Sequence, residues 1–182
     1  EEFTQENSRP AILAFTGDVY QGMQLAEWTK EDFSTAQARV RILSGLYGVL
    51  RPLDLMQPYR LEMGTRFPNK RGKNIYEFWG DALAKSLNAD LKKSGSDHVV
   101  NLASNEYFSA VKKKELDGDL ITPIFKDEKN GTFKIISFFA KKARGMMADF
   151  IVRNDITDPK ALQKFKAAGY RFSKKDSDEK TL

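Results

Sequence analysis

Cations are the side chains of this sequence best placed to do chemistry, and they are clustered. Between Arg51 and Lys73 stand Arg51, Arg60, Arg66, Lys70, Arg71 and Lys73 against only Asp54 and Glu62. Between Lys126 and Arg144 stand Lys126, Lys129, Lys134, Lys141, Lys142 and Arg144 against only Asp127 and Glu128. Each segment carries a net +4, and together they exceed the +5 of the whole chain, so the remainder is slightly acidic. Such asymmetry suits a basic face for a polyanion. Composition alone also allows the plainer reading of solvated lysines on an ordinary surface.

Two places concentrate the signal. In Phe138-Phe139-Ala140-Lys141-Lys142-Ala143-Arg144-Gly145 three cations fall at an expected strand-to-helix junction, where unpaired N–H groups and the positive helix end favour a phosphate. In Leu43-Ser44-Gly45-Leu46-Tyr47-Gly48 a helix running into a glycine turn has the outline of a helix-hairpin-helix element. The backbone amides of such an element hold phosphate oxygens without reading bases. The usual hairpin has its glycines two apart and here they are three apart, so a helix C-cap followed by a turn is the alternative.

Catalytic candidates are sparser. Glu106 could serve as a base and Ser104 as a donor at the end of a strand over Val99–Ala103, although Ser104 or Asn105 as a helix cap accounts for the same residues. Asp54 and Lys141 are further acid, base or nucleophile candidates, and Asp81 reads as a helix-face carboxylate. There is no GxxxxGK[ST], GxGxxG, HExxH or GxSxG pattern. With no cysteine and one histidine, His98, disulfides, cysteine zinc sites and ordinary iron–sulfur clusters are excluded, and a Ser-His-Asp triad could be built only around His98. No metal site and no cofactor is expected.

The elements that must position these residues are read from periodicity and punctuation. Pro10–Phe15 suits a short strand or buried helical turn. Asp32 or Ser34 can cap a helix displaying Phe33, Ala36, Val40, Leu43 and Leu46 and stopping at Gly45 or Gly48. Residues 51–73, with Pro52, Pro58 and Pro68, form an ordered loop region. A helix capped by Asn74 runs to Ser94-Gly95 and buries Phe78 and Leu83. Strands at Leu120–Phe125 and Phe133–Phe139 should pair as a hairpin around Asn130-Gly131. A helix follows from about Ala140 to Asn154, then a last one from Asp158-Pro159 through Ala168.

Elements so interleaved, without regular βαβ spacing, give an α+β or mixed α/β fold: a single domain over 1–182 with a central mixed sheet flanked by helices. At 182 residues with 41% hydrophobic and 12% aromatic residues, such a domain can hold a core. No apolar run reaches membrane-spanning length and no leader opens the chain, so a cytoplasmic location is expected. Glu1 without a methionine, and the charged run before Leu182, both suggest trimmed ends.

Five blocks carry a resemblance: Ser44 to Asp54, Tyr59 to Gly64, Phe78-Trp79-Gly80, Asn101 to Tyr107, and Ala140 to Gly145. In order and spacing they closely resemble the YaaA family of bacterial peroxide-stress proteins. The resemblance implies a cytoplasmic protein that limits peroxide damage, by lowering free iron or protecting DNA, and that binds double-stranded and distorted DNA through a basic cleft. It places the helix-hairpin-helix on Ser44, Gly45, Tyr47 and Gly48, and the basic contacts on Arg51, Arg60, Lys141, Lys142 and Arg144. Family members begin with a strand bearing a Ser-Pro-Ala-Lys-Thr motif that is absent here, and a last strand beyond Leu182 is expected as well. Function thus reads as non-specific DNA binding that limits iron-dependent damage, by a monomer without membrane association. The alternative is an enzyme acting on a nucleic acid or nucleotide.

Overall fold

Short elements dominate because glycine, proline and Asx punctuation recurs every few residues. A computed structural model describes residues 2–178 and 180–182. The fold is mixed α+β, but the expected central sheet is not formed: the strands of the described residues pair as five separate two-stranded sheets. The chain divides into two compact units.

The first unit comprises residues 1–15, 36–97 and 103–118. Strand Arg9–Pro10 pairs antiparallel with Leu55–Met56 and leads into helix Ala11–Ala14, so the apolar run supplies both a strand and a helical turn. The expected helix through Leu46 instead ends at Arg39. Ile42–Ser44 and Gly48–Leu50 then form an antiparallel hairpin in which Ser44 faces Gly48. The burial pattern there has period two, with Ile42, Ser44, Gly48 and Leu50 buried, and this outweighs the helical spacing of Val40, Leu43 and Leu46. Gly48 at φ 79 closes the hairpin. There is accordingly no helix-hairpin-helix at residues 43–48.

Asn74 caps its helix as expected, its side chain accepting the Glu77 N–H at 2.8 Å. Gly80, at φ 56, then splits the helix into Ile75–Trp79 and Ala82–Ser94, and Gly95 in the left-handed region ends it. Leu83 is buried while Phe78 is partly exposed.

The second unit comprises residues 16–35, 98–102 and 119–182. Thr29 and Asp32 cap helix Lys30–Arg39 reciprocally, the Thr29 N–H donating to Asp32 Oδ2 at 2.8 Å and the Asp32 N–H to Thr29 Oγ1 at 3.2 Å. His98–Val100 runs parallel to Asp119–Ile121. The Asn130-Gly131 hairpin forms, both residues having positive φ, 57 and 73, but its strands are Asp127–Lys129 and Thr132–Lys134. The expected strand over Phe133–Phe139 is cut short because helix Ser137–Arg153 starts within it. After Asp158, which caps a 3-10 turn over Pro159–Lys164, the expected helix through Ala168 gives way to a second hairpin, Lys166–Ala167 with Tyr170–Arg171. The core joins Ile121, Phe125, Ala140, Ala143, Met147, Leu162 and Phe165.

Candidate nucleic-acid interface

In the first unit the residues expected to bind phosphate are committed to one another. The Ser44 side chain is fully buried, its Oγ lying 2.6 Å from the Tyr59 hydroxyl and accepting the Tyr47 N–H at 2.9 Å. The Tyr59 hydroxyl also takes the Gly45 N–H, and burial pushes this phenol above its ordinary range. Gly45 and Gly48 are buried, and the Trp79 indole N–H donates to the Gly45 carbonyl at 2.9 Å. The Tyr47 hydroxyl accepts the Gln57 N–H at 3.1 Å, and the Tyr47 and Tyr59 rings meet edge to face at 5.4 Å. The amides of Gly45 and Tyr47, which a helical hairpin would aim at a phosphate, therefore hold two side chains of the unit's own interior.

Arg51 and Arg60 belong to this unit as well. Arg51 reaches Asp90 at 3.4 Å, sharing it with Arg41 at 2.5 Å. The paired guanidinium groups, Arg41 first, hold the Asp90 carboxyl below its usual range. Arg60 is almost fully exposed and only 3.5 Å from Glu62, a pairing of little strength in water.

The remaining candidates of the first unit are built into turns. Ser104 caps helix Asn105–Phe108 by accepting the Tyr107 N–H at 3.4 Å. Glu106 accepts the Gly64 N–H at 3.0 Å, and Asp54 accepts the Arg51 N–H at 2.7 Å. Asp81 pairs with Lys85 at 2.7 Å. Tyr107 is pushed up to about 12, by burial first and then by the charges of Tyr59, Glu106 and Glu62.

In the second unit, helix Ser137–Arg153 carries Lys141, Lys142 and Arg144. The helix begins three residues before Ala140, so all three cations lie beyond its first turn, where the positive helix end has little effect. The expected concentration of cations and free amides at one junction is thus corrected: the amides belong to Ser137 and its neighbours and the cations follow them. At about 100° per residue, Lys142 and Arg144 point to nearly opposite sides. Lys141 pairs with Asp18 at 3.5 Å. Among the described residues, Lys142 and Arg144 have no carboxylate partner. Lys142 is exposed and lines a cleft, whereas Arg144 is partly buried, and its desolvation lowers the guanidinium's affinity for its proton.

Gly145, next to Arg144, sets this part of the helix against helix Asp18–Gln21. A Cβ at Gly145 would run into the Val19 carbonyl, and one at Gly22 into the Lys142 carbonyl. Two backbones approach here as only glycines permit. The same hairpin-and-helix arrangement brings Lys166 to the cleft that Lys142 lines. Sequence reasoning missed Lys166 because it read residues 158–168 as helix; the Ala168-Gly169 dipeptide before Tyr170 was the available turn signal.

Residues 1–176 match the family described as Peroxide stress protein YaaA. A UPF0246 protein of Saccharophagus degradans is 59% identical over 180 residues, which is 99% of this chain and 70% of that protein. A UPF0246 protein of Idiomarina loihiensis is also 59% identical over the same shares, and one of Aliivibrio fischeri is 56% identical. The chain belongs to the peroxide stress protein YaaA family, and its role is in peroxide stress. No helix of the described residues is long and apolar enough to cross a membrane.

Proposed function

We propose that this chain acts in peroxide stress by binding DNA without sequence preference, as a monomer in the cytoplasm, and so helps limit iron-dependent oxidative damage to it. The observation that carries this reading is the pair Lys142 and Arg144, cations that no carboxylate of the described residues neutralises. A guanidinium drawn partly out of water without a counter-charge is costly to fold, and a phosphate oxygen is the ligand that compensates it, through charge-assisted and often bidentate hydrogen bonds. Lys142, Arg60 and the +5 net charge add contacts of the same sequence-independent kind. Ser44, Gly45, Tyr47 and Gly48 then act indirectly, holding the loop that carries Arg51 and Arg60.

The test is a comparison of duplexes. Two fluorescent duplexes of unrelated sequence should bind equally, and Lys142→Ala with Arg144→Met should weaken both by the same factor. In a plasmid nicking assay with ferrous iron and peroxide, the wild type should protect and the double variant should not. Binding confined to one sequence, or protection unchanged in the double variant, contradicts the proposal.

A further inference from the structure

The cleft beside Lys142 has a volume of about 630 Å³, within the range of roughly 300–1,000 Å³ found for small-molecule sites. It lies wholly in the second unit, between helix Asp18–Gln21, helix Ser137–Arg153 from Lys142 onward, and the Lys166–Ala167 hairpin. Two cations, Lys142 and Lys166, stand on it without a partner among the described residues. Its other two charged lining residues, Arg153 and Asp149, offset each other at 3.7 Å, and Arg153 also reaches Glu27, outside the lining, at 3.0 Å. Asp149 is further occupied by the Trp28 indole N–H at 2.6 Å and the Gln24 N–H at 3.0 Å. The apolar part of the lining includes the partly exposed Met146 and Phe150, with the buried ring of Phe165 behind Phe150, the two rings meeting edge to face at 5.6 Å. The Gln21 side-chain amide, also in the lining, has no hydrogen bond within the described residues.

We propose that this cleft binds a single nucleoside phosphate. Lys142 and Lys166 take the phosphate, the apolar lining takes a face of the base, and the Gln21 amide offers its edge both a donor and an acceptor. Two lysines fit a phosphate approached as a point charge from two sides, and an apolar wall beside them excludes inorganic anions as the best ligand. The volume suits one nucleotide, free or as the unpaired unit of a strand, and not a base-paired duplex. The proposal extends the DNA-binding reading to this cleft and stands apart from it in test.

Calorimetric titration with deoxyadenosine monophosphate, a 5′-phosphorylated tetrathymidylate, deoxyadenosine and inorganic phosphate distinguishes the cases. The monophosphate should bind, with deoxyadenosine and phosphate each weaker. Lys142→Ala and Lys166→Ala should each weaken it about tenfold, the loss of one charge-assisted contact, with Lys166→Arg restoring part and Lys114→Ala changing nothing. Both lysines are exposed, so melting temperatures should hold. Tighter binding of the tetranucleotide, lost in Lys166→Ala, assigns the cleft to a strand; binding of the monophosphate alone assigns it to a free nucleotide. Binding of neither, or affinity indifferent to Lys166, overturns the proposal. Failure of duplex binding in the wild type would instead overturn the DNA reading and leave the monophosphate result to decide the cleft.

Discussion

Lys142 and Arg144 differ from Arg51, Arg60 and Lys141 in what lies within reach of their charge. In the sequence the five look alike, and the runs of Lys and Arg that mark them were legible there. That Asp90 and Asp18 are the partners of Arg51 and Lys141 was not, because those contacts depend on how distant segments fold together, whereas Glu62 lies two residues from Arg60. The consequence is a separation of stability from binding at Arg144. Arg144→Met keeps the stem and removes an uncompensated charge, so its melting temperature should equal or exceed that of the wild type while duplex affinity falls about tenfold. A loss of more than about 1 kcal/mol in denaturant unfolding would show a structural role instead.

Tyr107 gives a second expectation for a single residue. Its phenol keeps its proton up to about 12, whereas an unfolded tyrosine loses it near 10. The folded state thus binds the proton more tightly. The associated stability is complete below about pH 10 and is lost as pH rises towards 12, by at most about 1.4 kcal/mol per pH unit. Phenolate absorbance followed together with circular dichroism should show phenols of the folded protein titrating late. All six tyrosines ionising together near pH 10 before unfolding would contradict this.

Among elements, those announced by local chemistry were readable and those decided by tertiary pairing were not. The Asn74 cap, the stop at Gly95 and the Asn130-Gly131 turn depend on a few adjacent residues and occur where the sequence places them. The segment Val40 to Leu50 has helical spacing at Val40, Leu43 and Leu46 in the sequence, and only the pairing of Ile42–Ser44 with Gly48–Leu50 overrides it. Gly45 is then required for packing. A side chain there meets the Leu61 carbonyl, so Gly45→Val should cost about 1–3 kcal/mol in chemical denaturation without a specific loss of DNA affinity in the folded fraction. Intact stability with lost affinity would return the turn to the binding site.

Gly145→Ala should also destabilise, by about 2 kcal/mol, although alanine favours helices, because the atom it meets is the Val19 backbone carbonyl. The Lys166–Ala167 hairpin offers the opposite case. Ala168 holds φ 49, a region that costs alanine roughly 1–2 kcal/mol. Ala168→Gly should therefore raise the melting temperature by a few degrees, and a lower one would mean that the methyl group packs.

At the scale of the whole molecule, family membership over residues 1–176 places the chain in peroxide stress. Four of the five sequence blocks that carried the resemblance have separate physical duties. Ser44 to Gly48 and Asn101 to Tyr107 contain hydrogen-bonded turns, Trp79 anchors the Gly45 carbonyl, and Ala140 to Gly145 joins core alanines to the unpartnered cations. Sequence alone could show that these blocks recur together. It could not show which of their residues face inward.

The measurement that bears most directly on phosphate binding is the salt dependence of affinity for a random-sequence duplex, by anisotropy across a series of potassium chloride concentrations. Each phosphate neutralised contributes about −0.9 to the slope of log affinity against log salt, so four contacts give roughly −4. Lys142→Ala should make the slope shallower by about one. A flat dependence, or a slope unchanged in Lys142→Ala and in Arg144→Met, would contradict the assignment of these cations to DNA.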